Sequence, residues 1–280
     1  MSLLVVGSLH LDVIVRSPHL PILDETVTGS AVDYVFGGKG GNQAVAAARL
    51  GAKVSFVGCV GTDQFGEVLR KELQKNEVDI SQLQAVSGAS GMSVAIVDAQ
   101  GNYGAVIVSA ANLQIQANQI KVPTGTKLVL LQNEVPADVN VAVARKAKAV
   151  GASVWLNAAP ARVLPNDLLQ FIDLLIVNRV EDAFYKTTLE VDRLTTLGSQ
   201  GVHYAGQIIS GFDVNVISTH GAGDAFLGAL AAQLTQGVSL IDGITFAQAT
   251  AALHISQPAD KRTWLTPQKV QSFLSSWPSR

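Results

Sequence analysis

Gly221-Ala222-Gly223-Asp224-Ala225-Phe226 stands immediately before a strongly helical stretch. Two glycines at a helix N-terminus let the backbone come close to a ligand. They also leave several N–H groups unpaired, with the positive end of the helix dipole behind them. That arrangement suits an anion, and it equally suits a tight turn in which Asp224 favours the first turn of a helix. An acid in an anion-binding turn repels a ligand that is merely bound. As a general base beside a transferring phosphoryl group it has a purpose.

A second glycine cluster reads Phe36-Gly37-Gly38-Lys39-Gly40-Gly41-Asn42-Gln43. Neither cluster completes G-x-x-x-x-G-K-[ST] or G-x-G-x-x-G, which disfavours a Walker NTPase and a Rossmann dehydrogenase. Four glycines around one lysine, followed by Asn42, suggest backbone and side-chain donors converging on a polyhydroxylated ligand. A flexible hairpin is the plainer alternative.

The composition narrows the field further. Of 280 residues, 48% are hydrophobic and 15% charged, which excludes a disordered or tail-dominated chain. A net charge of −2 offers no broad basic field for nucleic acid or an anionic membrane. The single cysteine, Cys59, lies in an apolar run and reads as a buried core thiol. No run of about 18 uncharged apolar residues is present, and Met1–Gly7 lacks the basic region of a leader, so a cytoplasmic chain is expected.

Short Val/Leu/Ile runs ending in Gly, Asn or Pro alternate with helical patterns, the signature of βαβ units around a mostly parallel sheet covered on both faces. Strands are expected at 3–8, 54–60, 128–133, 153–157 and 174–178. Helices are expected at 42–50, 138–150 and 224–235, and at 64–76 with Phe65, Val68, Leu69 and Leu73 on one face. Residues 10–36 and 92–108 lack helical period and flank a turn at Asp98–Asn102. They read as antiparallel strands outside the main sheet, forming a lid. Without a linker or repeat, residues 1–280 are expected to form one domain.

With these residues in place, the chain resembles the ribokinase-like (PfkB) family of carbohydrate kinases, and its ribokinases most closely. The resemblance runs over nearly the whole length. It is carried by Gly7-Ser8 with Asp12, by Gly37 to Ala44, by Ala158-Ala159-Pro160-Ala161, by Asn178-x-x-Glu181, by Thr196-Leu197-Gly198-Ser199-x-Gly201 and by Gly221 to Asp224. It implies an α/β three-layer sandwich with a mostly parallel central sheet and a small antiparallel β lid.

For the site, the resemblance implies that Asp12 holds sugar hydroxyls while Gly38, Lys39 and Asn42 grip the other side of the pentose, with Glu134 a further sugar contact. Asp224 is then the base, and the N–H groups around Gly221, Ala222 and Gly223 form an anion hole for the γ-phosphoryl of ATP. Asn178 and Glu181 match a motif associated with magnesium and the triphosphate. Thr196, Gly198, Ser199 and Gly201 match the nucleotide loop. The family commonly dimerises through its lid.

Four positions depart from the family pattern. His10 stands where ribokinases usually have Asn, at the sugar, which opens the substrate to something other than ribose. Ser218 replaces an Asp that helps to hold an activating monovalent cation, so potassium activation is expected to be weak or absent. Gln248 replaces a His near adenine. Between Glu181 and Thr196 only 14 residues, 182–195, fill a region that usually holds a helix and a strand. Fourteen residues are too few for a full crossover plus strand, so either the sheet lacks an element there or a stretch is missing from the sequence. The leading expectation is an ATP- and Mg²⁺-dependent kinase acting on the primary hydroxyl of ribose or a related furanose. A nucleoside or modified-sugar kinase and a non-catalytic sugar-binding homologue are the alternatives.

Overall fold

A computed structural model describes residues 2–185, 191–258 and 265–277. Six parallel strands form the body of the main sheet: β1 (Ser2–Val6), β4 (Lys53–Val57), β9 (Thr126–Gln132), β10 (Ser153–Asn157), β11 (Leu174–Asn178) and β12 (Arg193–Thr196). Two antiparallel strands, β13 (Val202–Tyr204) and β14 (Gln207–Ile209), close one edge, giving the order β14-β13-β12-β11-β10-β9-β1-β4.

Alternation along the strands sends residues to opposite faces, and both faces are apolar. Leu3, Val5, Leu128, Leu130, Leu174 and Ile176 pack against α1 (Lys39–Arg49), α2 (Gln64–Lys75), α6 (Ala222–Thr235), α7 (Leu240–Ile255) and α8 (Pro267–Ser276). Leu4, Val6, Val129, Leu131, Leu175 and Val177 pack against α3 (Ala137–Ala149) and α4 (Asn166–Leu169). The runs Leu3–Val6, Leu128–Leu131, Val154–Leu156 and Leu174–Val177 are continuously hydrophobic because each serves two cores, whereas β4 and β12 carry Ser55, Thr195 and Thr196.

The lid lies outside this sheet, as the sequence suggests. Its order is β3 (Ala31–Gly37), β2 (His10–Arg16), β7 (Met92–Val97), β8 (Tyr103–Val108). The outer pairs are antiparallel, and the central β2–β7 pair is parallel because its strands enter the lid from the same end of the body.

Three expected element boundaries and connections need correction. The run expected as one strand at 54–60 breaks at Gly58: β5 (Cys59–Gly61) leaves the main sheet and pairs with β6 (Gln84–Val86). Helix α1 begins at Lys39, three residues before the expected start, so the glycine cluster is mostly helical and no hairpin forms. The short segment does hold a crossover. Helix α5 (Arg179–Tyr185) starts directly after β11, and β12 then pairs parallel to β11. The helix takes its first turn before residue 182, and the fourteen residues 179–192 meet the dozen or so a crossover needs. Residues 186–190 of that segment lie outside the described residues.

Candidate active site

The strand order reverses between β1 and β9, the kind of switch point at which open α/β sheets bind ligands. Gly7-Ser8 leaves the carboxyl end of β1 and Asn133-Glu134 that of β9. The Ser8 hydroxyl donates to Glu134 Oε2, and so does the Lys39 N–H, at 2.9 Å. Gly38, the N-cap of α1 with φ 86°, supplies no capping side chain. The carboxylate of Glu134 caps this helix from 95 residues away, where the dipole favours negative charge. Helix α1 approaches so closely that a Cβ at Gly40 would lie 2.7 Å from the backbone of Gly7 and Ser8.

The lid brings in Asp12. Its Oδ1 accepts from the Ser93 hydroxyl on β7, and the bare Gly37 makes room for it: a Cβ there would lie 2.1 Å from Oδ2. Burial raises the proton affinity of Asp12, opposed by the Ser93 hydrogen bond and by His10 and His220 nearby. His10 shares the Asp12 face of β2. It is 3% exposed, and its Nε2 is buried without a partner.

Asp224 sits in the first turn of α6, whose N-cap Gly221 is left-handed at φ 75°. Gln43 Nε2 donates to Asp224 Oδ1 at 2.9 Å and Asn42 Nδ2 to Oδ2 at 3.3 Å. Burial pushes the Asp224 carboxyl up; Lys39, Gln43 and Asn42 pull it back, and Glu134 pushes with burial. The Ala222 N–H is already bonded to the Thr219 carbonyl at 3.2 Å. Helix geometry leaves the Gly223 and Asp224 N–H groups as the turn's anion donors.

A cleft of about 160 Å³ runs from here across the strand ends, lined by Lys39, Asn157, Asn178, Glu181, Thr196 and residues 221–224. Asn178 and Glu181 form a reciprocal cap of α5. Asn178 Oδ1 accepts from the Val180 and Glu181 N–H groups at 2.9 Å, and Glu181 Oε2 accepts from the Asn178 N–H at 2.8 Å. Glu181 Oε1 is not part of that cap. Glu181 lies at the strand-end side of a cleft that also holds Asp224, and one carboxylate there suits Mg²⁺, which keeps most of its waters and takes few protein ligands; among the described residues no cluster of three metal-binding side chains exists. Beyond Thr196, Gly198 (φ 63°) and Gly201 (φ 101°) shape a one-turn loop around exposed Ser199, closed by Leu197 N–H to Gly201 O at 2.8 Å.

The expected residues thus fall into two groups that meet at Lys39 and Asp224: His10, Asp12, Gly38, Asn42 and Glu134 beneath the lid, and Asn178, Glu181 and Thr196 along the strand ends. Gly198, Ser199 and Gly201 lie at the far end and do not line the cleft. Ser8, Ser93, Gln43 and Gln132 were not assigned roles from sequence. Gln43 adjoins Asn42 in the motif, which was the available signal.

The model for pfkB family carbohydrate kinases matches residues 1–266. Ribokinase of Haemophilus influenzae is 31% identical over 301 aligned positions, covering 98% of both chains. Ribokinase of Thermotoga maritima superposes with a TM-score of 0.89 at 25% identity, over 99% of this chain and 100% of that one. Ribokinase of Arabidopsis thaliana complexed with ribose and ATP gives 0.88 at 27% identity, over 99% of each.

Proposed function

This chain belongs to the pfkB family of carbohydrate kinases, phosphotransferases with an alcohol acceptor, and from that premise we propose that it transfers the γ-phosphoryl group of ATP to the primary hydroxyl of ribose. The observation that carries the proposal is Asp224: a carboxylate at a helix N-terminus, oriented by two amides, in one cleft with Lys39, Asn178 and Thr196.

The sugar lies between lid and body, with Asp12, Gly38, Asn42 and the second oxygen of Glu134 taking its hydroxyls. Asp224 accepts the proton of the attacking hydroxyl. The Gly223 and Asp224 N–H groups and the Lys39 ammonium hold the transferring phosphoryl, where preorganised donors are worth roughly 10²–10³ each in rate. Glu181 would help to hold Mg²⁺, which neutralises phosphate charge when bound, while Asn178, whose oxygen caps α5, would offer its amide N–H groups to the triphosphate. Thr196, Gly198, Ser199 and Gly201 flank the nucleotide. In this reading the reaction is cytoplasmic and residues 1–280 work as one domain with the lid.

With Ser218 where an Asp would be needed, potassium activation should be weak or absent. Exchanging sodium for potassium should leave the saturated rate unchanged; a many-fold rise would refute this. His10 motivates a second reading. A buried imidazole with an unpartnered nitrogen beside Asp12 fits a substrate carrying an extra hydrogen-bonding group, such as a nucleoside. ADP release measured over ribose, deoxyribose, fructose and nucleosides separates the two: ribose should be fastest, and a faster nucleoside selects the second. A sugar-binding protein without turnover would release no ADP with any of them.

A further inference from the structure

Two glutamines with no exposed surface, Gln43 on α1 and Gln132 at the end of β9, join Asp224 in one chain of hydrogen bonds. Gln132 Nε2 donates to Gln43 Oε1 at 2.8 Å, and Gln43 Nε2 donates to Asp224 Oδ1 at 2.9 Å. From this geometry we infer that Gln43 is the positioning residue of the base, holding the Asp224 carboxylate in the rotation needed to accept a proton, and that Gln132 acts through Gln43 by fixing which end of its amide faces the carboxylate. The inference rests on the reading of Asp224 as base.

An amide has one donor end and one acceptor end. Flipping Gln43 would set its oxygen against the Asp224 carboxylate and its nitrogen against the Gln132 nitrogen. The chain therefore has one stable sense, with donors directed at the base. The other donor to Asp224 is Asn42, at the longer 3.3 Å, and it is partly exposed, so the proposed sugar would compete for its amide. Gln43 is buried away from that competition.

The chain also tolerates a cost. Gln132 Oε1 is buried without a partner, and such a group ordinarily destabilises. It fits only because residue 7 is glycine: a Cβ there would lie 1.8 Å from Oε1. The backbone holds Gln132 independently, since Asn140 Nδ2 donates to its carbonyl at 2.8 Å.

The test uses Gln43→Met, Gln132→Met, their combination and Asp224→Asn in the full chain, each first checked for folding by thermal melt. Gln43→Met should lower kcat about tenfold or more while the sugar and ATP KM values stay within about threefold, because positioning acts on the chemical step. Loss of a hydrogen bond to the carboxylate raises its proton affinity, so the acid limb of the kcat profile should move to higher pH. Gln132→Met should shift both readouts the same way but less. The double variant should be no slower than Gln43→Met, as expected when one residue acts only through the other. A Gln43→Met enzyme that keeps more than about half of kcat, loses affinity instead, or keeps its pH limb overturns the inference. So does a double variant whose losses multiply. If Gln43→Met does not fold, Gln132→Met decides by the same profile. Asp224→Asn separates the premise: turnover above about a tenth of wild type defeats the base reading itself, whereas an inactive Asp224→Asn beside an unaffected Gln43→Met defeats the relay alone.

Discussion

Asp224 stands at the centre of a charge balance that pH experiments read directly. Burial raises its proton affinity and Lys39, Gln43 and Asn42 lower it. Proton abstraction needs the ionised form, so kcat should fall as pH drops, with a midpoint above the ordinary aspartate range. Replacing Lys39 by Met removes the cation and should move that midpoint higher still, alongside a fall in kcat; an unmoved midpoint would separate Lys39 from the base. His10→Asn should raise kcat/KM for ribose relative to nucleosides, measured by competition, if its unpartnered nitrogen sets the substrate. Asp224 and Lys39 were legible because an acid and a lysine among clustered glycines have few structural uses, whereas Asp12, Glu134 and Glu181 came only through the family resemblance. Gln43 and Gln132 were not, since a buried amide in a helix or strand has no sequence signature until its partners are known.

Among the elements, two glycines of similar context in the sequence have opposite surroundings. Gly40→Ala gains helix propensity of about 1 kcal/mol but drives its Cβ to 2.7 Å from the Gly7 and Ser8 backbone. Overpacking of that kind typically costs about 1–3 kcal/mol and here has no side chain to move aside, so the variant should melt lower. At Gly223 a Cβ meets nothing within 4 Å. Gly223→Ala should keep full stability in denaturant titration and lose turnover, because its methyl group enters the space assigned to the phosphoryl group. The parallel strands at 153–157 and 174–178 were read correctly from their apolar runs. Failures came where a tertiary partner decides. Val68 is 49% exposed although its helix buries Leu69 and Leu73, and β5 departs from β4 at Gly58 because β6 is there to pair with it.

At the scale of the whole molecule, the lid is the unbalanced part. Its face opposite Asp12 carries Val13, Val15, Val32, Tyr34, Val94, Val106 and Val108 by strand alternation. Tyr34 is 63% exposed and Val106 66%. A contiguous apolar face on a sheet with open edges invites a self-complementary partner, and we propose that a second copy covers it. Val106→Lys should give monomers in sedimentation at concentrations where the parent chain is dimeric; a monomeric parent would end this reading. The lid's existence was legible from the loss of helical period, whereas its parallel central pair depends on how both strands leave the body.

The break at Gly58 leaves the chain's one cysteine on β5 with no exposed surface, and burial also raises its thiol's proton affinity. A thiol reagent therefore has to wait for the structure to open around Cys59. Its labelling rate becomes a clock for how often that part of the body comes apart. Sugar or nucleotide that binds only the closed fold should slow the clock in proportion to its occupancy, which makes ligand binding measurable without any turnover.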